Sequence, residues 1–375
     1  MSTHLERRGF TLVGLIVVLF VIGLLVALLL PAICSSKEAA RRNSCLCRLR
    51  QIGLALENYE SGKREYPLAS WNKAPAFNAL ASTPAGRSGA AVTGYSWIVS
   101  VLPQFEEKSL YDAIMAKSNE FTIADGPFDP AIVNSTQSFQ HASCVTLPAV
   151  ICPSWAGDRY TNSNTTIDIG PNGGAPAGYG APEYANVDSK QPGAGSQAFK
   201  GMVAPTNYKV MVGTHMTDGA PVENGGMLLS GPHGLTHGSF SDGTSKTILA
   251  CESKEAGYAS WYDGTLNWLV GNDPNQPAPS STDRPPWTAA ALAINCGFDP
   301  KKPGSIPYLK KTLTTNAPQN DVWWGPSSDH GGGIVCHVFV DNHTFGITDQ
   351  CDGPTYLSLI TRSGSEPIDN CEPSR

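Results

Sequence analysis

The most pronounced hydrophobic pattern of the chain is an uninterrupted apolar run near its N-terminus. Residues 10–33 are 24 residues without one charged side chain. As an α-helix this run would be roughly 36 Å long, enough to cross the hydrocarbon core of a bilayer, which is about 30 Å thick. A secretory signal usually has an apolar core of about 7 to 15 residues followed by a small-residue cleavage site, and this run fits neither feature. The run therefore predicts a membrane-spanning helix.

A second, amphipathic pattern follows the apolar run. Apolar residues recur there at i, i+3, i+7 and i+10, which places them on one face of a helix: Leu49, Ile52, Leu56 and Tyr59. Together the two patterns predict one helix from residue 10 to about residue 59, about 75 Å long. We expect a kink at Pro31 and an end at Gly62 and Pro67. Two partners remain open for the amphipathic face: neighbouring copies of the same helix, or the protein's own following domain.

The rest of the chain carries short apolar runs separated by turn residues. Examples are residues 247–251 and 333–340, and the chain holds 38 Gly and 29 Pro. Such spacing is typical of strands joined by tight turns. We therefore predict an α+β protein in which the long helix is followed by a β-rich, loop-rich globular domain. Residues 157–200 are nearly free of large aliphatic side chains and are expected to form a long surface loop.

A short polar segment precedes the apolar run. Residues 1–9 end in Gly9, which is followed by Phe10, Thr and Leu. This segment resembles the class III leader of type IV prepilins and type II secretion pseudopilins. The resemblance implies that a prepilin peptidase cuts after Gly9 and that the new N-terminal Phe10 is methylated. The expected organisation is a leader (1–9), a transmembrane and amphipathic pilin-like helix (10–60) and an exported domain (61–375).

The fifth position of the expected mature chain departs from the family pattern. The resemblance implies a Glu there, and this chain has Gly14. In the family, that carboxylate is thought to neutralise the N-terminal amine of a neighbouring subunit inside the membrane, where an unpaired charge costs several kcal/mol. Its absence resembles the minor, tip-located pseudopilins. The partners implied are other pseudopilins, inner-membrane assembly proteins, the prepilin peptidase and membrane lipid.

Basic residues flank the apolar run on both sides. Arg7 and Arg8 precede it, and five follow it: Lys37, Arg41, Arg42, Arg48 and Arg50. A literal positive-inside count would place the N-terminus outside. The leader implies the opposite orientation, because its peptidase acts at the cytoplasmic face. We expect a single-pass protein of the inner membrane with a cytoplasmic N-terminus and a periplasmic or extracellular globular domain.

Short motifs recur through the rest of the chain. They are residues 36–42, 51–56, 96–97 with 102–103, 110–112, 152–154, 242–247 with Glu252, and 328–330. Together they resemble a large bacterial domain of unknown function that follows class III leaders and ends in a His-X9-Asp-Gly motif. Here His330 is followed by ten residues before Asp341 and Asn342, which indicates a β-bulge or a shifted register. No known catalytic device is among these motifs, so we expect structural roles for Asp242, Gly243, Glu252, His330 and Asp341; Asp-Gly is first of all a turn dipeptide.

Charge and cysteine content narrow the class of protein. Beyond residue 60 there are 19 Lys and Arg against 28 Asp and Glu, and this acidic balance opposes nucleic-acid binding. Ten cysteines in an exported chain point to disulfides. Cys34 lies at the membrane boundary, and Cys45 and Cys47 point to different sides of the helix, so we expect these three to be free or intermolecular. The pairing of the other seven cannot be deduced from sequence.

Candidate chemical groups are few. There is no Gly-x-Ser-x-Gly elbow and no phosphate-binding loop. His233 and His237 have a zinc-type spacing, but the Gly and Pro around them oppose a helix and no Glu lies between them. Asp341, Asp349 and Asp352 are weak calcium candidates, because oxygen ligands on a loop suit that ion. Five tryptophans could stack on sugars or fill the core: Trp97, Trp261, Trp268, Trp323 and Trp324.

These observations predict a membrane-anchored, pseudopilin-like structural subunit of a type II secretion or type IV pilus-like assembly. We expect no enzymatic activity and no cofactor, with calcium as the alternative. Two other functions remain open: a monomeric tethered protein that binds polysaccharide or another ligand, and a tethered metal-dependent hydrolase.

Overall fold

The computed structural model describes a long N-terminal apolar helix and a sheet-containing domain with mixed helix and strand content. The described residues are 12–71, 95–117, 145–155, 157, 166–168, 204–217, 220–229, 231–255, 261–262, 264, 267–272, 293–295, 310–312 and 325–364. The leader with Gly9 and Phe10 lies outside them, as does most of the predicted surface loop 157–200.

The N-terminal helix α1 spans Leu12–Lys63 as one element that continues through Pro31. The helix ends at Lys63, between Gly62 and Pro67, which were expected to end it. The next residue, Arg64, has a φ of 65°, and its N–H donates to Glu60 O at 2.6 Å. This left-handed residue forms the cap that terminates many helices. The most apolar stretch of α1 is not buried anywhere within the described protein. The helix is therefore long and apolar enough to span a membrane.

The domain is built around a five-stranded sheet. Its strands are β4 (Tyr208–Gly213), β7 (Ile248–Glu252), β8 (Trp268–Val270), β10 (Ile334–Phe339) and β11 (Thr344–Thr348). Their order is β11-β10-β7-β4-β8, and all neighbours are antiparallel except β4 and β8. The two runs that the sequence predicted as strands are β7 and β10.

Short elements surround this sheet. Two-stranded pairs form between β1 (Ser70–Trp71) and β2 (Tyr95–Ser96), β3 (Thr166–Asp168) and β9 (Lys310–Thr312), and β5 (Met216–Thr217) and β6 (Ala220–Pro221). The remaining helices are α2 (Trp97–Ser100), α3 (Lys108–Lys117) and α4 (Gly353–Ser358), and 3-10 turns cover Leu102–Phe105, Pro148–Val150 and His237–Ser239.

The C-terminal half of α1 packs on one face of the sheet, over β10, β11 and β7. Gly53 allows the close approach, because a Cβ there would overlap Asn342 Oδ1 and lie 2.9 Å from Val338 Cγ2. Of the two partners left open for the amphipathic face, the structure shows the protein's own sheet. The residues of this face are Leu49, Ile52 and Leu56, which are fully buried, and Tyr59, which packs half-buried against the core. Gly14 lies in the other, apolar half of α1.

Strand β10 is buried on both faces. Cys336 and Val338 are buried on the side of α1, and Val335 and His337 are buried on the other side. There His337 Nδ1–H donates to Val335 O and Nε2 accepts from the Tyr356 hydroxyl, both at 2.9 Å. Burial lowers the pKa of His337 to about 3. The ring is therefore neutral and serves as a core residue.

The pairing of β10 with β7 contains a β-bulge, but not where the long closing motif indicated one. The register shifts between Val338, opposite Ala250, and Phe339, opposite Ile248. Leu249 is the extra residue at this point, so the bulge belongs to β7 and not to the segment between His330 and Asp341.

Candidate functional site

Several segments that are far apart in the chain meet at one buried point between α1 and the sheet. We call the five residues that meet there the joint cluster. They are Glu38 and Cys45 on α1, Cys152 after the 3-10 turn Pro148–Val150, Glu252 at the end of β7, and His330 in the loop before β10. Glu38 and Cys45 are seven residues, or two helical turns, apart and so project from the same side of α1.

A disulfide between Cys45 and Cys152 ties α1 to the domain. The two Cα atoms are 5.5 Å apart, the usual spacing for this bond. The Cys152 N–H donates to Asn207 Oδ1 at 2.9 Å, and the Arg48 guanidinium donates to the carbonyl of Ile151. The segment that carries Cys152 is therefore held on the helix by a covalent bond and by an adjacent hydrogen bond.

His330 lies between two carboxylates, and its side chain is fully buried. Nδ1 is 2.7 Å from Glu38 Oε1, and Nε2 is 3.4 Å from Glu252 Oε1 and 3.8 Å from Cys152 Sγ. Glu252 is also buried, and its Oε2 accepts from the Cys336 N–H at 3.0 Å. Each ring nitrogen of His330 thus faces an acidic side chain from a different element.

Hydrogen bonds hold the loop that carries His330. Ser328 Oγ accepts from the His330 N–H at 3.2 Å and donates to Ile334 O. The Ser328 N–H donates to Asn295 Oδ1 at 3.0 Å. The imidazole is therefore positioned by a loop whose own polar groups are paired, which limits its freedom to turn away from the two carboxylates.

The two carboxylates set the electrostatics of the cluster. Burial lowers the pKa of His330, but the contacts and charges of Glu252 and Glu38 outweigh burial, so the net shift of this pKa is upward. Burial first, and then the charge of Glu252, raise the pKa of the Cys336 thiol and of the Tyr208 hydroxyl. The surroundings thus favour an imidazolium held between carboxylates. Removing one partner of such a buried set leaves an uncompensated charge, which is strongly destabilising.

The chemistry available to this arrangement is limited in the disulfide form. The thiolate is the nucleophilic form of cysteine, and both sulfur atoms of the cluster are bonded to each other. Cys45, Cys152, Glu252 and His330 nevertheless each place one ligand atom within 4.8 Å of the others, which is the spacing of a metal site. In the oxidised chain the cluster links α1 to the domain covalently, through the Cys45–Cys152 disulfide.

The closing motif does not form one site. His330 lies in the loop before β10, whereas Asp341 lies in the turn to β11 at the other end of that strand. There Asp341 Oδ1 accepts from the N–H of His343 at 3.2 Å and lies 2.5 Å from its Nδ1. The turn that contains Asp242 and Gly243 lies beside Asp341, because the Asp341 N–H donates to Thr244 O at 3.2 Å; Gly243 has a φ of 106° there. The five motif residues named from sequence thus fall into two places: Glu252 and His330 in the joint cluster, and Asp341 with the Asp242–Gly243 turn at the other end of β10.

The three calcium candidates do not converge either. Asp341 is at one end of the β10–β11 hairpin, and Asp349 and Asp352 follow β11 at the other end, because Ile334 pairs with Thr348. Five strand residues separate these ends by roughly 16 Å. Asp352 Oδ2 accepts from Thr355 N at 3.1 Å and caps α4. The Asp352 side chain therefore has a structural role at a helix terminus.

Other candidate groups from the sequence are placed apart from the joint cluster. His233 and His237 are exposed and do not lie on an α-helix, and His233 pairs with Glu65 at 3.4 Å. Three of the five tryptophans are fully buried and form part of the core: Trp97, Trp261 and Trp268. Trp323 and Trp324 lie outside the described residues.

The expectation that Cys45 is free is wrong, whereas Cys34 and Cys47 are free and exposed. One signal in the sequence points to this difference. Cys45 lies four residues before Leu49 and continues the buried helical face by one turn, whereas Cys47 lies off that face. Its partner could not be deduced, because Cys152 is 107 residues away. Cys351 is also disulfide-bonded.

Comparison with known proteins identifies the family. The family model described as "Protein of unknown function (DUF1559)" matches residues 35–353, and the chain belongs to this family. The matched range contains all five residues of the joint cluster and begins just before Glu38. No curated protein and no solved structure matches the chain.

Proposed function

We propose that this protein is a membrane-anchored, pilin-like structural subunit that assembles through the first half of α1. The observation that carries the proposal is the division of this helix. Its first half is apolar and wholly exposed within the protein, whereas its second half is fastened into the domain by the core and the joint cluster. The first half therefore needs an apolar partner outside the domain, which a bilayer and neighbouring helices supply.

The covalent and polar link between α1 and the domain also supports a structural role. A subunit that is pulled or pushed through its N-terminal helix must transmit force to its domain, and α1 is joined to the domain at Glu38 and Cys45, well before its end at Lys63. The disulfide and the buried ion pairs resist separation of the two parts. Such a rigid connection suits a β-rich domain displayed on a helical stalk.

The finer features of the proposal come from the N-terminal sequence. Its resemblance to prepilin leaders supports cutting after Gly9, methylation of Phe10, a cytoplasmic N-terminus and insertion in the inner membrane. The absence of a carboxylate at Gly14 supports a minor or tip position among other pseudopilins. The domain would then lie on the periplasmic or extracellular side, where a disulfide between Cys45 and Cys152 persists.

Crosslinking between membrane helices tests the proposal. A photo-crosslinking phenylalanine analogue replaces Leu24, which is 53 % exposed in the apolar half, and native membranes are irradiated. We expect crosslinks to the membrane helices of neighbouring pilin-like subunits and recovery of the protein in sheared filaments. The matched control carries the same analogue in place of Ser241 on the exposed surface of the domain. A monomeric tethered binding protein would give no more crosslinking at position 24 than at position 241 and would be absent from the filament fraction.

A further inference from the structure

The joint cluster contains the disulfide that links α1 to the domain, and its residues also include the donor atoms of a metal site. One ligand atom from each of Cys45, Cys152, Glu252 and His330 lies within 4.8 Å of the other three, and all four residues are buried. Glu252 Oε1 is buried and accepts no hydrogen bond, and it faces His330 Nε2 at 3.4 Å. Because a buried carboxylate oxygen without a hydrogen bond is costly, a cation bound between this oxygen, Nε2 and the two sulfurs would satisfy it.

We propose that the reduced form of the joint cluster binds one zinc ion through Cys45, Cys152, His330 and Glu252. The joint between helix and domain can then be closed in two ways, by a disulfide under oxidising conditions or by a metal under reducing conditions. This proposal does not depend on assembly into a filament.

The donor atoms are those that zinc selects. Protein-bound zinc takes thiolate, imidazole and carboxylate ligands, and in structural sites it is four-coordinate and tetrahedral. Two soft thiolates favour zinc over magnesium or calcium, which take oxygen ligands. Cys45 and Cys152 supply the thiolates, His330 the imidazole and Glu252 the carboxylate.

The surrounding hydrogen bonds direct these donors inward. Glu38 Oε1 accepts the Nδ1–H of His330 at 2.7 Å, which leaves the Nε2 lone pair directed at Cys152 Sγ and Glu252 Oε1. The Cys336 N–H holds Glu252 Oε2 and leaves Oε1 for the metal. A ligating imidazole whose other nitrogen donates to a carboxylate is the usual arrangement around protein-bound zinc.

The change between the two forms is small in distance. At a Zn–S distance of about 2.3 Å, the two sulfur atoms of a tetrahedral site are ~3.8 Å apart, so the sulfurs must separate by one or two ångströms. Cys45 is fixed on α1, and Cys152 lies in the segment after a 3-10 turn that ends at Val150. Rotation of the Cys152 side chain can supply this displacement while the Cys152 N–H stays bonded to Asn207 Oδ1.

The redox step and the protons balance as follows. A dithiol reductant gives up two electrons and its own two protons and leaves as a disulfide. A phosphine gives up two electrons and becomes a phosphine oxide with the oxygen of one water molecule, whose two protons go to the sulfurs. Either reaction converts the Cys45–Cys152 disulfide to two thiols. Zinc then replaces the protons of both thiols and, when His330 is charged, the proton on Nε2. Oxidation of the two thiolates by a disulfide acceptor releases the zinc ion and re-forms the Cys45–Cys152 bond.

Cobalt binding tests the proposal on the full chain in detergent. After reduction under anaerobic conditions, we expect one Co²⁺ per chain, with a thiolate-to-cobalt charge-transfer band and ligand-field bands of tetrahedral intensity, all displaced by one equivalent of Zn²⁺. The oxidised chain should show none of these bands. The matched pair of variants is Cys45→Ser, which should abolish the bands, and Cys47→Ser, which removes an exposed thiol two residues away and should leave them unchanged.

A further variant tests the orientation of the imidazole. Glu38→Gln should weaken zinc binding by about 10- to 100-fold without changing the stoichiometry, which is the usual effect of losing an outer carboxylate. The proposal is overturned if reduced wild type binds no more metal than reduced Cys45→Ser, or if Cys47→Ser loses the bands as well. It is also overturned if reduction unfolds the chain and added zinc does not restore its tryptophan fluorescence.

Discussion

Replacement of Leu49 by Ala tests whether the amphipathic face of α1 belongs to the domain's own core. Leu49 is 0 % exposed in the core under the sheet, whereas Leu54, on the same helix, is 49 % exposed. The two residues have the same side chain and nearly the same local helix environment. Leu49→Ala and Leu54→Ala therefore form a matched pair that differs in burial.

The expected magnitude follows from that burial. Leu→Ala removes three carbon atoms, worth about 0.8 kcal/mol each when fully buried, and the cavity left behind brings the usual total to about 2 to 5 kcal/mol. We expect a loss of this size in the free energy of unfolding for Leu49→Ala. For Leu54→Ala the loss should be at most about 1 kcal/mol, because water already contacts half of that side chain and Leu and Ala have similar helix propensities.

Urea unfolding of the full chain in detergent, with the disulfide intact, measures both values. Buried tryptophans provide the fluorescence signal: Trp97, Trp261 and Trp268. If Leu49 instead packed between copies, Leu49→Ala would change the oligomer distribution and leave the unfolding of dilute monomer unchanged. Equal losses for Leu49→Ala and Leu54→Ala would refute the reasoning.

Three further predictions concern single residues. Gly53→Ala should destabilise the domain by about 1 to 3 kcal/mol, because the new Cβ would overlap Asn342. Gly62→Ala has open space around its Cβ and should gain up to about 1 kcal/mol of stability from the higher helix propensity of Ala. Urea unfolding measures both variants, and a stabilised Gly53→Ala would contradict the prediction. His330→Ala should lower the free energy of unfolding by about 1 to 3 kcal/mol. Because the pKa of His330 is raised in the folded protein, this loss is full below the unfolded-state pKa of about 6.5 and shrinks as the pH rises through the folded-state pKa. Parallel urea titrations of both proteins measure it, and a loss that grows with pH would be inconsistent. Asp352→Ala should remove the N-cap of α4 and lower the melting temperature by an amount equivalent to about 0.5 to 2 kcal/mol, while Asp352→Asn, which caps equally well, should not.

Local pattern was sufficient to predict the elements on which the fold depends. The uncharged run and the spacing of Leu49, Ile52 and Leu56 predicted α1, because both signals lie within one helix. Runs of β-branched residues bounded by turn residues likewise predicted β7 and β10. The helix continues to Lys63, about four residues beyond the expected end near residue 59, because the left-handed cap falls on Arg64, a residue type without a turn signal.

Long-range contacts could not be predicted in this way. Glu252 and His330 were named as motif residues, but nothing in the sequence indicated that they meet Glu38 and Cys45 on the helix, since His330 and Glu38 are 292 residues apart. The motif spacing even pointed elsewhere, toward Asp341, which lies at the far end of β10. Pairing of the amphipathic face with the domain's own sheet is a tertiary property, and the same apolar periodicity would serve a contact between copies equally well.

Mass spectrometry of the mature N-terminus is the most direct test of the proposal that this chain is a pilin-like subunit. The account predicts that protein isolated from its native membrane begins at Phe10, carries one methyl group on the Phe10 amine, and retains all of α1. Gly9→Ala should block cutting and leave the full leader in place. An intact Met1 end in the wild-type protein, or cutting near Ala32 that removes the apolar half of the helix, would contradict the account.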